Sequence, residues 1–244
     1  HLVLDQTIPP IPGVPDTTYV SRVVFSRASE GTIYATLDGH RSNDFKPYVM
    51  KSTDFGKTWT SITSNLPDGG SVQVIREHPR QSNLLFVGTE FGVFFSADGG
   101  GQWTQLKSGI PGVPVHDLQI QPRWDDLVVG THGRGAYILD DLAPLEHLAQ
   151  AKDAQVAYMF PIRDELDFQP NATRNSGMGT SGFTGQNPEL GAHIAYELNG
   201  IPSNAKADIQ IVDASGTVIR QIAAANKPGL YSQYWDIRAC LPLT

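Results

Sequence analysis

Short runs of β-branched and aromatic residues alternate with Gly, Pro, Asn and Asp along the first part of the chain. This pattern predicts β-strands separated by turns. The runs form three units of four strands, except that the outer strand of the third is not defined. The predicted strands cover 20–25, 31–36, 46–51 and 59–62, then 72–75, 84–89, 92–96 and 103–106, then 115–120, 126–131 and 135–139.

A repeated motif sets the period of these units. Ser52-Thr-Asp54-Phe-Gly56-Lys-Thr-Trp59 recurs as Ser96-Ala-Asp98-Gly-Gly100-Gly-Gln-Trp103, 44 residues further on. In each copy the Asp side chain can lock a hairpin turn and the Trp can anchor that turn in the core. The period predicts stacked β-units. We interpret four residues of the motif as structural: Asp54, Trp59, Asp98 and Trp103.

The third unit ends differently from the other two. After Leu139 the closing Trp is missing, and regularly spaced leucines predict a short helix capped by Asp140 or Asp141. Closed propellers have about four to eight blades, so three units predict an incomplete ring. Because open blades expose strand edges, we expect either a fragment of a larger propeller or a homo-oligomer that covers them.

The remaining segments divide the chain further. Residues 1–19 are Pro-rich and predict an extended lead-in, and residues 20–163 form the predicted partial propeller. Residues 164–190 are rich in Gly, Ser and Asn and are typical of a linker. Strand patterns return over 191–238, in an order that resembles part of an immunoglobulin-like β-sandwich. Residues 239–244 do not continue it. The predicted fold class is all-β.

A wider resemblance rests on the motif pair and four further segments: Asp38-Gly-His-Arg-Ser-Asn-Asp-Phe-Lys-Pro-Tyr48, Gly88-Thr-Glu-Phe-Gly92, Pro114-Val-His-Asp117 and Gly130-Thr-His-Gly-Arg-Gly135. Together they resemble the C-terminal end of bacterial BNR-repeat, or Asp-box, propeller proteins of the sialidase-like and sortilin-like kind. The resemblance covers roughly residues 10–238. It implies a β-propeller, a glycosyl hydrolase activity and a secreted or periplasmic location. In that family the Asp-box is a structural turn.

The composition of the chain restricts the classes of molecule that it can bind. The formal net charge is -7, and the sequence lacks the basic stripe that phosphate binding needs, which argues against nucleic acid. No run approaches the roughly 18 apolar residues of a membrane span. The single cysteine, Cys240, excludes an internal disulfide. We expect a small-molecule or carbohydrate substrate.

Strand parity predicts where a site would lie. The loops between second and third strands share one end of the blades, and the Asp turns lie at the other. Loops at a channel mouth commonly carry function. The candidate catalytic residues are Asp38, His40, Asp44, Glu90 and His132; the candidate anion-binding residues are Arg22, Arg41, Arg76 and Arg134; Asp38, Asp44 and Glu90 are also candidate calcium ligands.

Three functional hypotheses stay open at this point. The first is a hydrolase of glycosides, lactones or esters, with or without calcium. The second is a non-catalytic module of an exported protein that binds carbohydrate or protein. The third is an inert fragment that folds by self-association. The sequence has no Gly-x-Ser-x-Gly elbow, no zinc-ligand spacing and no phosphate-binding glycine loop.

Overall fold

The structure is a computed structural model that describes residues 10–107, 109–164, 191–202 and 205–237. The chain divides into two compact units between Glu146 and His147. The predicted linker beyond residue 164 and the predicted tail at 239–244 lie outside the described residues.

From residue 10 onwards, the described part of the first unit forms three antiparallel sheets, each a simple up-and-down meander. The first sheet consists of β1 (Tyr19–Phe25), β2 (Ile33–Asp38), β3 (Tyr48–Ser52) and β4 (Thr60–Ser61). The second consists of β5 (Val72–Glu77), β6 (Leu85–Thr89), β7 (Gly92–Ser96) and β8 (Thr104–Gln105). The third has three strands in the described part of the chain: β9 (Val115–Gln121), β10 (Asp126–Thr131) and β11 (Ala136–Leu139).

The three sheets stack as blades. Strand β5 contacts both β1 and β9, so the first strand of each sheet lies beside the first strand of the next. The predicted fold class is confirmed: the first unit is an incomplete β-propeller in an all-β chain. The strands follow the predicted ones closely, because alternation and turn residues are local signals.

The core lies between the blades. Tyr34 and Val49 of the first blade pack with Ile75, Phe94 and Trp103 of the second in one buried cluster. Burial of such side chains is the main stabilising term in a stack of small sheets.

A glycine sets how closely the second and third blades approach. A Cβ atom on Gly88 would lie 2.7 Å from side-chain carbons of both Val74 and Val115. Only a residue without a side chain therefore fits at this point of contact.

The predicted lead-in is partly packed. Ile11 and Val14 lie against the cluster that Leu37, Met50 and Trp59 form with other residues on the first blade. The described residues before β1 therefore cover apolar surface of that blade.

Two helices follow the blades. Helix α1 (Ala143–Glu146) belongs to the first unit, and α2 (Leu148–Asp153) begins the second. Asp141 is the capping residue of the two that the sequence offered, since its Oδ1 accepts the Ala143 N–H at 3.1 Å. In the described residues, neither helix has the length and apolar character that crossing a bilayer requires.

The described residues of the second unit form two small sheets. Its strands are β12 (Ala157–Met159), β13 (Ala192–Leu198), β14 (Asp208–Val212), β15 (Val218–Ala223) and β16 (Gly229–Trp235). One sheet has the order β12-β13-β16, and β14 and β15 form the other. Residues from both, including Ile194, Tyr196, Ile209 and Ile222, share one core.

This unit starts earlier than we predicted. The predicted propeller segment ran to residue 163, whereas the units divide after Glu146. Strand β12 pairs with β13, so residues 157–159 belong with the later strands. The immunoglobulin-like assignment of this unit stays a prediction.

Candidate functional site

The loops between second and third strands share one end of the blades. Tyr19 pairs with Asp38, Val72 with Thr89 and Val115 with Thr131, so each first strand begins where the second strand ends. Gln73 near the start of β5 reaches Asp38, and Ser26 after β1 reaches Glu77 at the end of β5. Strands β1 and β5 therefore run in the same direction. We call this end the loop end.

Asp38 is the best-defined charged group at the loop end. It is the last residue of β2 and only 6% exposed. Its carboxylate accepts hydrogen bonds from the His40 N–H at 3.0 Å and from Gln73 Nε2 at 3.2 Å. Burial alone would raise the pKa of Asp38, but the nearby Ser71 hydroxyl and hydrogen bonds from His40 and Gln73 outweigh it and lower that pKa to about 2. Asp38 is therefore a buried anion fixed by two blades.

His40 is held by this anion. The His40 Nδ1 atom lies 2.6 Å from Asp38 Oδ2, whereas the His40 side chain is 54% exposed. The loop that carries it folds tightly, because the Gly39 carbonyl accepts both the Ser42 and the Asp44 N–H. A Cβ atom on Gly39 would lie 2.8 Å from the Asp44 carbonyl oxygen, so this fold requires glycine. The result is a histidine that is oriented on one side and open to solvent.

Asp44 and Arg41 occupy the same loop but have other partners. The Tyr48 hydroxyl donates to Asp44 Oδ2 at 2.6 Å, and this bond lowers the pKa of the Asp44 carboxyl. Burial and the same bond raise the pKa of Tyr48 to about 12. The Arg41 guanidinium lies 5.3 Å from the centre of the Tyr19 ring, within cation–π distance.

The three predicted calcium ligands are not brought together. Glu90 lies in the two-residue turn between β6 and β7, on the second blade. A metal site needs at least three side chains of His, Cys, Asp or Glu whose ligand atoms lie close together. Among the described residues, Asp38, Asp44 and Glu90 belong to no such group with ligand atoms within 4.8 Å of one another. We therefore build no calcium site from these carboxylates.

His132 and Arg134 lie in the loop between β10 and β11, and both are exposed. The His132 N–H donates to the Pro114 carbonyl at 2.9 Å. Its ring stacks on that of His116, with 5.0 Å between ring centres and an interplanar angle of 25°. The third blade therefore presents two exposed imidazoles at the loop end.

Arg22 and Arg76 meet at a carboxylate that the sequence analysis did not select. Asp117 Oδ1 accepts a hydrogen bond from Arg22 at 3.2 Å and from Arg76 at 3.0 Å, so the cluster joins the first strands of all three blades. Burial lowers the pKa of Arg76, and the charge of Arg22 acts in the same direction. Two cations share one anion here, and Arg22 Nε is buried without a hydrogen-bond partner.

A cavity of about 410 Å³ is lined by Arg76, one member of this arginine pair. Arg76, Arg27, Glu77 and Gln119 give it polar walls, and Val24, Phe25 and Ile120 are among its apolar lining residues. Asp117 and His116 are neighbours on β9 but have different partners. Successive side chains of a strand point to opposite faces, so Asp117 contacts the arginines and His116 contacts His132.

A second buried charge cluster also escaped the sequence analysis. The His78 side chain is fully buried, and its Nε2 lies 2.8 Å from Asp125 Oδ1. Arg80 pairs with Asp125 at 2.7 Å and with Glu146 at 2.9 Å. Burial alone would raise the pKa of Asp125, but His78 and Arg80 lower it.

His78, Asp125 and Glu146 have the ligand spacing of a metal site. However, the Arg80 guanidinium is already paired with both carboxylates. We therefore interpret the cluster as an ionic lock between the second blade and the end of the third. The carboxylates of the cluster are far from His78 in sequence, so no local sequence pattern predicts it.

The two Asp motifs form matching turns away from the loop end. Ser52 Oγ donates to Asp54 Oδ1, which also accepts the Thr58 N–H at 2.9 Å. Ser96 Oγ, Asp98 Oδ1 and the Gln102 N–H repeat these contacts in the second blade.

Tryptophans close both motifs. Trp59 is 8% exposed and Trp103 is 4% exposed, and Trp103 Nε1 donates to the Ile62 carbonyl at 2.8 Å. These contacts are those of a structural turn.

Comparison with known proteins gave partial likenesses of fold. No protein-family model matches the sequence, and a search of curated proteins gave no significant match. An ancestral GH74 enzyme is similar to 48% of this chain at 23% identity and a TM-score of 0.40. The GH74 enzyme of Niastella koreensis is similar to 84% at 18% identity and a TM-score of 0.41. YCF48 bound to D1 peptide is similar to 57% at 18% identity and a TM-score of 0.40.

The chain spans only part of each of these proteins. It covers 14% of the ancestral GH74 chain, 30% of the Niastella koreensis chain and 41% of YCF48. These likenesses are too partial to decide between an enzyme and a binding protein.

Proposed function

We propose that the chain is a hydrolase whose general base is His40, held in position by Asp38 at the loop end of the propeller. The observation that carries this proposal is the 2.6 Å contact between His40 Nδ1 and the buried Asp38 carboxylate, with the imidazole half exposed. The other predicted loop residues supply no comparable pair.

The chemistry follows from this geometry. With a pKa of about 2, Asp38 is ionised at neutral pH. Its charge fixes the ring through Nδ1 and stabilises the imidazolium that forms when Nε2 takes a proton from water. A positioned base of this kind contributes roughly 10²–10⁴ to a rate. Arg41, the next residue, is a cation that can stabilise negative charge on an attacked carbonyl.

The substrate class follows from the nature of the base. Glycoside hydrolysis commonly uses two free carboxyl groups on either side of the bond. Here Asp38 is buried in hydrogen bonds and Asp44 is bonded to Tyr48, so these two carboxyl groups do not form such a free pair. A single histidine base suits attack of water on an ester or lactone carbonyl. We therefore favour esters and lactones over glycosides, and the mechanism needs no calcium.

A substrate panel tests this proposal. Purified protein is incubated with p-nitrophenyl esters, aliphatic lactones and p-nitrophenyl glycosides, with and without chelator. We expect ester or lactone hydrolysis that survives chelation and falls about 100-fold or more in His40→Gln. His147→Gln, a change in the second unit, is the matched control and should retain the rate. Glycoside hydrolysis alone, or full activity in His40→Gln, would contradict the proposal.

A second candidate function is non-catalytic binding of a ligand that carries a carboxylate. It is favoured by the arginine pair, where Arg22 and Arg76 share the Asp117 carboxylate and Arg76 also lines a cavity. Carboxylate geometry matches the guanidinium fork, which makes arginine pairs suitable for such ligands. This candidate corresponds to the carbohydrate- or protein-binding module that the sequence left open.

Binding measurements separate the two functions. Uronic-acid oligosaccharides and their neutral counterparts are titrated into the protein by calorimetry. If the chain is a binding module, the acidic ligands bind, the neutral ones do not, and Arg76→Gln weakens binding while Arg134→Gln does not. Equal binding of acidic and neutral sugars would exclude a role for the arginine pair.

A further inference from the structure

We propose that Gln73, on the second blade, is a positioning residue for His40: its side-chain amide holds the Asp38 carboxylate in the orientation that binds the imidazole. This inference rests on the proposed hydrolase function, in which His40 is the base. It adds that two blades assemble the base, so a residue outside the loop that carries His40 controls the reaction.

The first argument is that the amide and the imidazole meet at one oxygen atom. Asp38 Oδ1 accepts the His40 N–H at 3.0 Å. Asp38 Oδ2 lies 2.6 Å from His40 Nδ1 and accepts a hydrogen bond from Gln73 Nε2 at 3.2 Å. Gln73 therefore acts on the oxygen that contacts the ring, and its hydrogen bond limits rotation of the carboxylate about the Cβ–Cγ bond.

The second argument is the path of the backbone at Gln73. Strand β5 pairs with β6 through Val72 with Thr89 and then through Val74 with Gly88. Because the two partners are consecutive on β6, Gln73 is an extra residue on β5. Such a β-bulge changes the direction of a side chain and is common beside active sites. Here the side chain that it redirects reaches the first blade.

Contacts of the flanking residues hold this bulge against the first blade. Ser21 Oγ, on β1, donates to the Val72 carbonyl at 2.8 Å. Val72 and Val74 are both fully buried. The backbone on either side of Gln73 is thus fixed, so the amide needs little further ordering to reach Asp38.

The third argument is the protonation state that this arrangement selects. With a pKa of about 2, Asp38 is ionised at neutral pH, and a carboxylate only accepts hydrogen bonds. Neutral His40 therefore carries its proton on Nδ1, which leaves the lone pair of Nε2 free to take a proton from water. The amide of Gln73 supports this state without a charge of its own, whereas a cation in its place would compete with the imidazolium for Asp38.

Nuclear magnetic resonance of the ring nitrogens tests the inference without a substrate. The full chain is prepared with isotope-labelled histidine as wild type and as Gln73→Met, and His40→Gln identifies the His40 signals. Methionine has about the length of glutamine but lacks the donor. At about pH 8.5, where histidine is neutral, we expect the proton on Nδ1 of His40 in the wild type. In Gln73→Met the population should shift towards the form with the proton on Nε2.

Kinetics on an ester or lactone that the wild type hydrolyses give a second reading. Gln73→Met should lower kcat by about tenfold, because one hydrogen bond to a charged group is lost. KM should stay unchanged, because the amide acts on Asp38 rather than on the substrate. Gln73→Glu places a second carboxylate beside Asp38, where the two repel or share a proton, and should lower kcat further.

A glutamine of the same blade is the matched control. Gln105, on β8, also donates through Nε2, but to the Phe91 carbonyl at 2.8 Å. Gln105→Met should leave both the His40 proton position and kcat unchanged. Unfolding curves check that the variants fold, and Gln73→Glu serves for the resonance comparison if Gln73→Met does not.

The inference and the proposed function fail by different results. A wild type that hydrolyses no ester or lactone would contradict the function. A His40 proton position that stays as in the wild type after Gln73 is changed would overturn the positioning role, even where kcat falls. Wild-type kcat in both Gln73 variants would overturn it as well.

Discussion

Asp38→Asn should destabilise the first unit by about 2 kcal/mol at neutral pH. The nearby Ser71 hydroxyl and hydrogen bonds from His40 and Gln73 outweigh burial and lower the pKa of Asp38 from its ordinary value of 3.8 to about 2. A pKa difference of one corresponds to about 1.4 kcal/mol, so the ionised form contributes about 2 kcal/mol. An amide of the same shape keeps most of the packing and removes the charge.

The sign of the pH dependence follows from the lowered value. A carboxyl whose pKa is lower in the folded state stabilises the protein above its unfolded pKa. The contribution is lost as the pH falls through the folded pKa. The difference in stability between wild type and Asp38→Asn should therefore be complete above about pH 4 and should shrink towards about pH 2.

Denaturant unfolding followed by circular dichroism measures this difference. Unfolding free energies of both proteins are compared at neutral pH and at several values down to about pH 2.5. Asp68→Asn changes an exposed aspartate between the first two blades and should alter stability by less than about 0.5 kcal/mol. The reasoning is refuted if Asp38→Asn is as stable as the wild type at neutral pH, or if the difference does not change with pH.

Further predictions concern the ionic lock, the core and the open blades. Asp125→Ala removes one of the two carboxylates that contact both His78 and Arg80, with Glu146 as the other. It should cost about 3 kcal/mol, a fall of roughly 10 °C in Tm by calorimetry; an unchanged Tm would exclude the lock. Trp103→Ala should cost about 3–5 kcal/mol in denaturant unfolding, because it opens the core between two blades; a loss below about 1 kcal/mol would contradict its anchoring role. Sedimentation velocity should show a species heavier than one chain if self-association covers the open blades, and a monomer at all concentrations would end that proposal.

The sequence was most informative where structure is local. The hairpins of the blades and the turns at Asp54 and Asp98 follow from alternation and from residues that are adjacent in the chain. Counting strands likewise predicts that the loop that carries His40 lies at the loop end of the blades. Such features need no knowledge of what packs against them.

The parts that escaped prediction depend on contacts between blades. The low pKa of Asp38 arises partly from Ser71 and Gln73 on the next blade, and sequence alone does not show that they approach. His78 finds Asp125 across 47 residues of chain. The sequence did not predict the start of the second unit, because β12 has only three residues and is defined as a strand by its pairing with β13.

The central claim is that His40 acts as a base because Asp38 holds it. Ester or lactone hydrolysis by the wild type, His40→Gln, Asp38→Asn and the double variant tests this claim most directly. The account predicts that kcat/KM falls in each single variant and that adding Asp38→Asn to His40→Gln causes no further loss, since Asp38 acts only through His40. Independent, multiplying losses in the double variant, or hydrolysis unaffected by either change, would contradict it.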